Sequence, residues 1–209
     1  MMRSNMFDRV LCINLDRRPE NWKAFRERLA ALDWPHAPVE RFAAFDGWAN
    51  DPPAGWNAAP GRWGCCRSHA KLLREALDDN LANVLVFEDD AIFAPNFLEH
   101  FRSFLRELPA DWDQFYLGGV KNGPVTEVSD HVLRTFGTMY THAYGMNRKF
   151  MEPMLRHIVD NEGRDGVWDI DVRMAQLHAL DRYRIYRPRR WIVTQDKSVS
   201  DTAHRPDVA

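Results

Sequence analysis

The sequence lacks the features that mark several large classes of protein. Its 209 residues contain only three cysteines, Cys12, Cys65 and Cys66, and none of them forms a CxxC pair. This pattern excludes a disulfide scaffold and predicts reduced thiols in a cytoplasmic protein. No apolar run approaches the roughly 20 residues of a membrane-spanning helix, and residues 1–8 contain no apolar signal-peptide segment. We therefore expect at most a peripheral association with the inner membrane.

A large net charge is also missing. Lys plus Arg number 28 and Asp plus Glu number 30, so the formal net charge is −2. This balance gives no overall field that would attract nucleic acid. Hydrophobic residues make up 45% and charged residues 28% of the chain, which is typical of a globular protein. The length favours one domain over residues 1–209, with residues 1–7 and 203–209 as loose termini.

Several catalytic signatures are absent as well. The sequence contains no GxxxxGK[ST], GxGxxG, GxSxG or HExxH. These absences count against P-loop kinases, dinucleotide-binding oxidoreductases, α/β-hydrolases and zinc proteases.

Apolar patterns predict alternating strands and helices in the first half of the chain. Strands are predicted at Arg9–Asn14, Val39–Phe45 and Asn83–Phe87, with helices starting at Pro19 and spanning Arg62–Asp79. This order indicates an α/β sheet built from βαβ units. Further along, a polar loop over residues 121–130, a strand over 139–144 and a helix over 168–180 are predicted.

The strand VLVF runs directly into the carboxylates Glu88, Asp89 and Asp90. An apolar strand of this kind lies inside a sheet, and its carboxyl end opens on the crevice where α/β proteins bind ligands. Alternation along the strand places Glu88 and Asp90 on one side and Asp89 on the other. Bound Mn²⁺ or Mg²⁺ would relieve their repulsion, with Asp90 as first ligand and Glu88 assisting. The alternative is a solvated acidic turn.

Two other segments contain candidate binding residues. Arg17 and Arg18 follow the first strand, where an arginine can pair with a phosphate, although a surface turn explains one of them equally well. In GCCRSH, the i, i+4 spacing of Cys65 and His69 would suit two metal ligands on one helix. No second ligand pair is apparent, so we expect a packing role for the cysteines, with no zinc and no disulfide.

The later part of the chain offers two further clusters. Asp169 and Asp171 open a predicted helix, where they serve either the helix dipole or, for one of them, general-base catalysis. An arginine cluster follows, which either faces an anionic ligand or solubilises an edge strand: Arg182, Arg184, Arg187, Arg189 and Arg190.

The motifs together resemble glycosyltransferase family 25, which includes lipooligosaccharide and collagen galactosyltransferases. The similarity is clearest over Val10–Gly119 and looser in THAYGMNRKFMEPML, VWDIDVRM and TQDKSVSD. Its strongest segments, in the family's order, are INLDRR, RFAAFDG, GRWGCCRSHAKLL, VLVFEDD and DWDQFYLGG.

The resemblance implies a GT-A-like fold, with a single Rossmann-type mixed sheet flanked by helices. It also implies an inverting transfer from a nucleotide-sugar, usually UDP-linked, to a glycan or lipid-linked acceptor, and a divalent metal on Glu88-Asp89-Asp90. Ser68 and His69 match the SH pair of the family. The residues expected around the nucleotide are Asn14, Leu15, Arg17, Asp46 and Gly47, and the donor site is completed by Ser68, His69, Glu88 and Asp89. Two alternatives stay open: a nucleotide-sugar- or carbohydrate-binding module without turnover, and a glycosyltransferase that modifies nucleic acid, which only the arginine cluster supports.

An inverting transfer requires a base opposite the leaving group. We choose Asp171, then Asp169, because a core face formed by Trp168, Val172 and Ala175 would bring Asp171 nearer the sheet. At this spacing we expect only one of the two carboxylates to face the crevice. His142 and His69 are the next candidates for the base, and Gln195 or His204 is a late metal contact.

Overall fold

A computed structural model describes residues 6–164, 166, 167, 169–196 and 202. The first half alternates strands and helices, as its apolar pattern predicts. Its elements are β1 (Arg9–Asn14), α1 (Pro19–Ala30), β2 (Val39–Ala43), α2 (Pro60–Asp78), β3 (Asn83–Glu88), β4 (Ala91–Phe93), α3 (Phe97–Glu107) and β5 (Gln114–Tyr116).

The second half contributes shorter strands and two helices. Its elements are β6 (Val120–Lys121), β7 (Val125–Glu127), β8 (Val132–Thr135), β9 (Thr138–Met139), β10 (Ala143–Asn147), α4 (Arg148–Asp160), α5 (Ile170–His178), β11 (Ile185–Pro188) and β12 (Val193–Gln195). No helix within the described residues is both long and apolar enough to cross a membrane.

Eight strands form one mixed sheet in the order β2-β1-β3-β10-β5-β11-β8-β7. β1 lies between β2 and β3 and is parallel to both. β10 is antiparallel to its neighbours β3 and β5. A mixed sheet flanked by helices confirms the predicted α/β fold class. The carboxyl ends of β1, β2 and β3 and the beginning of β10 therefore meet at one edge.

Alternation along the central strands divides the core between the two faces of the sheet. Val84 and Val86 of β3 pack in the layer that includes α2, α4 and α5. Leu85 and Phe87 pack on the other face with α1 and α3. Because Val84–Phe87 are buried on both faces of the sheet, β3 carries polar residues only at its two ends, Asn83 and Glu88.

A small second sheet brings the end of the described chain back to the acidic motif. β4 follows Asp90 and pairs with β12 in antiparallel register, opposing Ala91 and Gln195. The sequence does not predict β4, because three residues are too few for an alternation pattern to be recognised. The pairing positions Gln195 beside Asp90.

The region between β5 and α4 differs from the sequence-based prediction. The predicted polar loop contains β7 and the second residue of β6, and these strands pair with β8 and β9, respectively. The predicted strand over residues 139–144 is interrupted at Tyr140, whose φ of +73° is incompatible with a strand. Strands of two or three polar residues are stabilised by cross-strand partners, which local sequence does not reveal.

The predicted core face of α5 is wrong. Val172 and Ala175 are only partly buried, and Trp168 lies outside the described residues. The helix instead buries a face that includes a nearly inaccessible arginine: Ile170, Arg173, Met174, Leu177 and His178. Arg173 donates hydrogen bonds to the carbonyl oxygens of Asn161 and Val167. A polarity pattern cannot identify such a face, because its largest member is charged.

The arginine cluster does not converge on one ligand site. Arg182 and Arg187 lie over aromatic rings, and Arg184 and Arg189 form ion pairs. Their respective partners are Tyr183, Trp191, Asp111 and Glu127. These dispersed contacts favour a structural role and remove the main feature that suggested nucleic-acid binding.

Buried His178 makes the stability of the fold depend on pH. Its Nε2 atom contacts Gln114 Oε1 at 2.8 Å, and burial lowers the pKa of His178 to about 3. The unfolded chain binds a proton near pH 6.5 while the folded chain does not, so stability falls as pH drops from about 6.5 toward 3. We expect a loss of up to about 1.4 kcal/mol per pH unit from this group. Denaturant unfolding at pH 7.0, 6.0 and 5.0 measures this fall in unfolding free energy. If a His178→Gln variant showed the same pH dependence as wild type, His178 would not be its cause.

Candidate active site

Two adjoining cavities open at the edge where β1, β2 and β3 end. The first lies over the ends of β1 and β2, and the second lies between β3, the start of β10 and the start of α5. Both cavities are lined by Cys65, Glu88, Asp90, Gln195 and Thr202. The acidic end of β3 therefore forms the boundary between the two cavities.

The first cavity is lined by residues from distant parts of the sequence. All of the residues expected around a nucleotide-sugar line it, together with Asp90. They are Asn14, Leu15, Arg17, Asp46, Gly47, Ser68, His69, Glu88 and Asp89. Arg18 is not among its lining residues; it precedes α1 and pairs with Glu20 at 3.2 Å.

Glu88 is fixed by two neighbouring side chains. Thr141 Oγ1 donates to Glu88 Oε1 at 2.6 Å, and His69 Nε2 lies 3.4 Å from the same oxygen. Burial raises the pKa of Glu88, but the hydrogen bond and charge of His69, together with Thr141, outweigh burial and lower it. Glu88 is thus held as a carboxylate at the floor of the crevice.

Asp90 is held on one side only. Gln195 Nε2 donates to Asp90 Oδ2 at 2.7 Å, whereas Oδ1 is buried without a hydrogen-bond partner among the described residues. Burial, followed by the charge of Glu88, raises the pKa of Asp90 well above its ordinary value. A buried carboxylate oxygen without a donor is costly, and a cation would satisfy it.

Asp89 turns away from Glu88 and Asp90 toward β1 and α1. Its carboxylate accepts a hydrogen bond from the Asn14 amide, and its carbonyl oxygen accepts one from Arg28 at 2.6 Å. Burial raises the pKa of Asp89, and the Asn14 hydrogen bond opposes that effect. Asp89 therefore fastens the acidic motif to the neighbouring strand.

Arg17 and Asp46 join the ends of β1 and β2. Arg17 Nε donates to Asp46 Oδ2 at 2.7 Å, and Asp46 Oδ1 caps a short 3₁₀ turn by accepting from Trp48 N. The ion pair orients the Arg17 guanidinium at the rim of the first cavity.

Two glycines allow that turn to lie against α2. A Cβ atom on Gly64 would be 2.6 Å from Gly47 N and 2.8 Å from Phe45 O. Ser68 strengthens the same contact, because its hydroxyl accepts from Phe45 N and donates to Gly64 O. The close approach of two backbones brings Asp46 and Gly47 beside Ser68 and His69.

Gly64→Ala should therefore separate the turn from α2. The clash involves backbone atoms, so we expect a loss of about 1–3 kcal/mol in unfolding free energy, the usual cost of overpacking. Denaturant unfolding measures it. The exposed Arg74→Ala on the same helix serves as the control, and equal stability of the two variants would contradict the contact.

Asp169 and Asp171 both line the second cavity. The prediction that only one of them faces the crevice is wrong, because α5 begins at Ile170 and Asp169 precedes it in an extended conformation. The two side chains therefore do not diverge as they would within a helix.

The two carboxylates have different partners. Asp169 pairs with Arg62 at 2.9 Å, and burial raises the pKa of Asp169 while Arg62 lowers it. Asp171 accepts from two backbone amides, Tyr140 N at 3.0 Å and Val172 N at 2.7 Å. Backbone donors thus fix the orientation of Asp171.

Six residues that line the second cavity were not predicted as site residues: Arg62, Tyr140, Thr141, Ile170, Asp196 and Thr202. Tyr140 is 42% exposed and adopts a left-handed conformation that non-glycine residues seldom adopt. Strained residues of this kind cluster at functional sites. No local pattern reveals them, since Arg62 lies 107 positions from its partner.

The remaining candidates lie elsewhere. His142 is buried, with Nε2 3.5 Å from the carbonyl oxygen of Val193, and it lines neither cavity. His204 lies outside the described residues. The three cysteines are free, but potential metal-ligand atoms of Cys65, His69 and Glu88 lie within 4.8 Å of one another.

Comparison with known proteins identifies relatives of this chain. The human protein named "Inactive glycosyltransferase 25 family member 3" is 33% identical over 144 residues, covering 59% of this chain and 24% of that protein. "Procollagen galactosyltransferase 1-A" of Xenopus laevis is 30% identical over 131 residues, which cover 54% of this chain and 21% of the Xenopus protein. The chain thus spans about a quarter or less of these relatives.

A solved structure shares the fold. It is a glycosyltransferase involved in the glycosylation of the major capsid of PBCV-1, with a TM-score of 0.52 and 8% identity over 92% of this chain and 93% of that one. The sequence profile described as "Glycosyltransferase family 25 (LPS biosynthesis protein)" matches residues 7–163, most of the chain. The chain belongs to glycosyltransferase family 25.

Proposed function

We propose that the chain transfers a hexose from a UDP-linked donor to a hydroxyl group of a glycan or lipid-linked acceptor, with inversion and with Mn²⁺ or Mg²⁺. The observation that carries this proposal is the meeting of two cavities at Glu88 and Asp90. A transferase needs adjoining donor and acceptor spaces with the reacting bond at their boundary. The free cysteines support the expected cytoplasmic location.

The acidic motif suits a hard divalent cation. Asp90 Oδ1 is buried and lacks a hydrogen-bond donor among the described residues, and carboxylate oxygens are the ligands that Mn²⁺ and Mg²⁺ prefer. Asp90 would hold the ion, with Glu88 assisting and Gln195 fixing the second Asp90 oxygen. Such an ion, when bound, stabilises negative charge on a diphosphate leaving group.

The first cavity supplies the donor contacts. Arg17, oriented by Asp46, offers a cation to the diphosphate. Asn14 organises the floor, since its amide donates to the Arg18 carbonyl oxygen and its Oδ1 accepts from Arg41. Asn14, Leu15, Asp46 and Gly47 then surround the nucleoside, with Ser68, His69 and Asp89 completing the wall.

The second cavity supplies the acceptor side. A base there lies across the Glu88–Asp90 boundary from the leaving group, as inversion requires. Asp171 is the proposed base because backbone amides hold it in place, while Asp169 is engaged by Arg62. A carboxylate has about four lone-pair sites, so Asp171 keeps acceptor capacity for a substrate hydroxyl.

A second candidate function is nucleotide-sugar binding without turnover. Relatives named inactive, such as the human protein above, favour it. The donor cavity would then be retained while transfer is absent.

Release of UDP separates the two functions. Purified protein is incubated with a panel of UDP-hexoses and simple glycan acceptors, with Mn²⁺ and with a chelator. Metal-dependent UDP release from one donor supports the transferase. Stabilisation by a UDP-hexose without UDP release, across the panel, supports the binding protein instead.

A further inference from the structure

Cys65, His69 and Glu88 form a cluster with the composition of a soft-metal site. Cys65 and His69 are one turn apart on α2, and Glu88 ends β3. Their potential ligand atoms lie within 4.8 Å of one another. Sequence spacing offers only two ligands on one helix, and for that reason no zinc is expected from it. The sheet supplies a third ligand, Glu88, which removes the reason for that expectation.

The spacing of the cluster matches tetrahedral coordination. Zn–N and Zn–O bonds of about 2.0–2.2 Å at a tetrahedral angle place the two ligand atoms about 3.4 Å apart. His69 Nε2 and Glu88 Oε1 are 3.4 Å apart. The Cys65 sulfur lies within 4.8 Å of both other ligand atoms, so it can supply a third ligand.

The neighbours of these ligands have the arrangement expected around a metal centre. Tyr144 Oη lies 2.8 Å from His69 Nδ1, which leaves Nε2 directed at the cluster. Thr141 anchors Glu88 Oε1. Metal-binding histidines and carboxylates are oriented by outer hydrogen bonds of this kind.

We propose that Cys65, His69 and Glu88 bind one thiophilic divalent cation, Zn²⁺ or Cd²⁺, with the fourth position open to the two cavities. Three protein ligands with an open position are typical of non-structural zinc sites. Binding forms a metal–sulfur bond and releases the thiol proton of Cys65 to solvent. The site differs from the one proposed for Mn²⁺ or Mg²⁺, because a thiolate selects soft cations and Asp90 takes no part.

Cadmium titration of the full chain tests the proposal. We expect one Cd²⁺ per chain and an ultraviolet charge-transfer band from thiolate to metal. Cys65→Ser should remove the band and weaken binding at least about 100-fold, because loss of a direct ligand costs more than loss of an outer partner. Zn²⁺ should compete for the same site.

Cys66→Ser is the matched control, since Cys66 is the adjacent residue and packs in the core. It should retain the band and the stoichiometry. Cadmium binding that is equal in Cys65→Ser and wild type, or the absence of a thiolate band in wild type, overturns the proposal. Asp90→Ala should leave the band intact, so failure here is distinguishable from failure of the proposed Mn²⁺ site.

Discussion

Asp90→Ala should abolish metal-dependent sugar transfer while leaving the fold intact. Asp90 carries the buried, unpartnered Oδ1 at the boundary of the two cavities. Removal of one preorganised electrostatic group from a transferase site costs at least about 10²-fold in kcat. Turnover at limiting and saturating Mn²⁺ measures the loss, with the exposed Asp78→Ala as a control for loss of one carboxylate.

Ionised Asp90 should also lower the unfolding stability of the protein when no metal is bound. Burial and the charge of Glu88 raise the pKa of Asp90, so the unfolded chain ionises at lower pH and stability is lost as pH rises above about 4. Without metal at pH 7, Asp90→Asn should therefore unfold at a temperature equal to or above that of wild type.

Near-normal turnover of Asp90→Ala at limiting Mn²⁺ would contradict the assignment of Asp90 as a metal ligand.

Asp171→Asn should lower kcat by about 10²–10⁴, the usual contribution of a general base. The change keeps the shape of the side chain and much of its contact with the Tyr140 amide, but removes the basic oxygen. Saturating donor isolates the chemical step.

Asp169→Asn is the paired variant in the same cavity. It weakens the ion pair with Arg62, and we expect a much smaller effect on kcat, with a stability cost of about 0.3–1 kcal/mol as for a carboxylate at a helix start. Loss of turnover in Asp169→Asn alone would reverse the two roles. Full activity of both variants would place the base elsewhere.

The first half of the fold could be predicted because its information is local. β1 spans the predicted Arg9–Asn14, and Pro19 marks the start of α1. The change from the apolar run VLVF to three carboxylates likewise predicts the carboxyl end of β3, where ligands bind in α/β proteins. The residues that the family resemblance places around the nucleotide line one cavity at these strand ends.

The parts that could not be predicted depend on contacts between distant residues. The break at Tyr140 is stabilised by Asp171, 31 positions away. The pairing of β4 with β12 brings Gln195 to Asp90 across 105 positions. The third ligand of the Cys65–His69 pair comes from another element, and no spacing rule along one helix includes it.

Binding of a nucleotide-sugar together with a divalent cation in the crevice at Glu88 and Asp90 can be measured by thermal-shift titration. Wild type and Asp90→Ala are titrated with UDP-hexoses, with and without Mn²⁺. We expect a donor-selective rise in Tm that requires Mn²⁺ in wild type and is lost in Asp90→Ala. No donor-dependent shift in wild type, or the same Mn²⁺-dependent shift in both proteins, would contradict it.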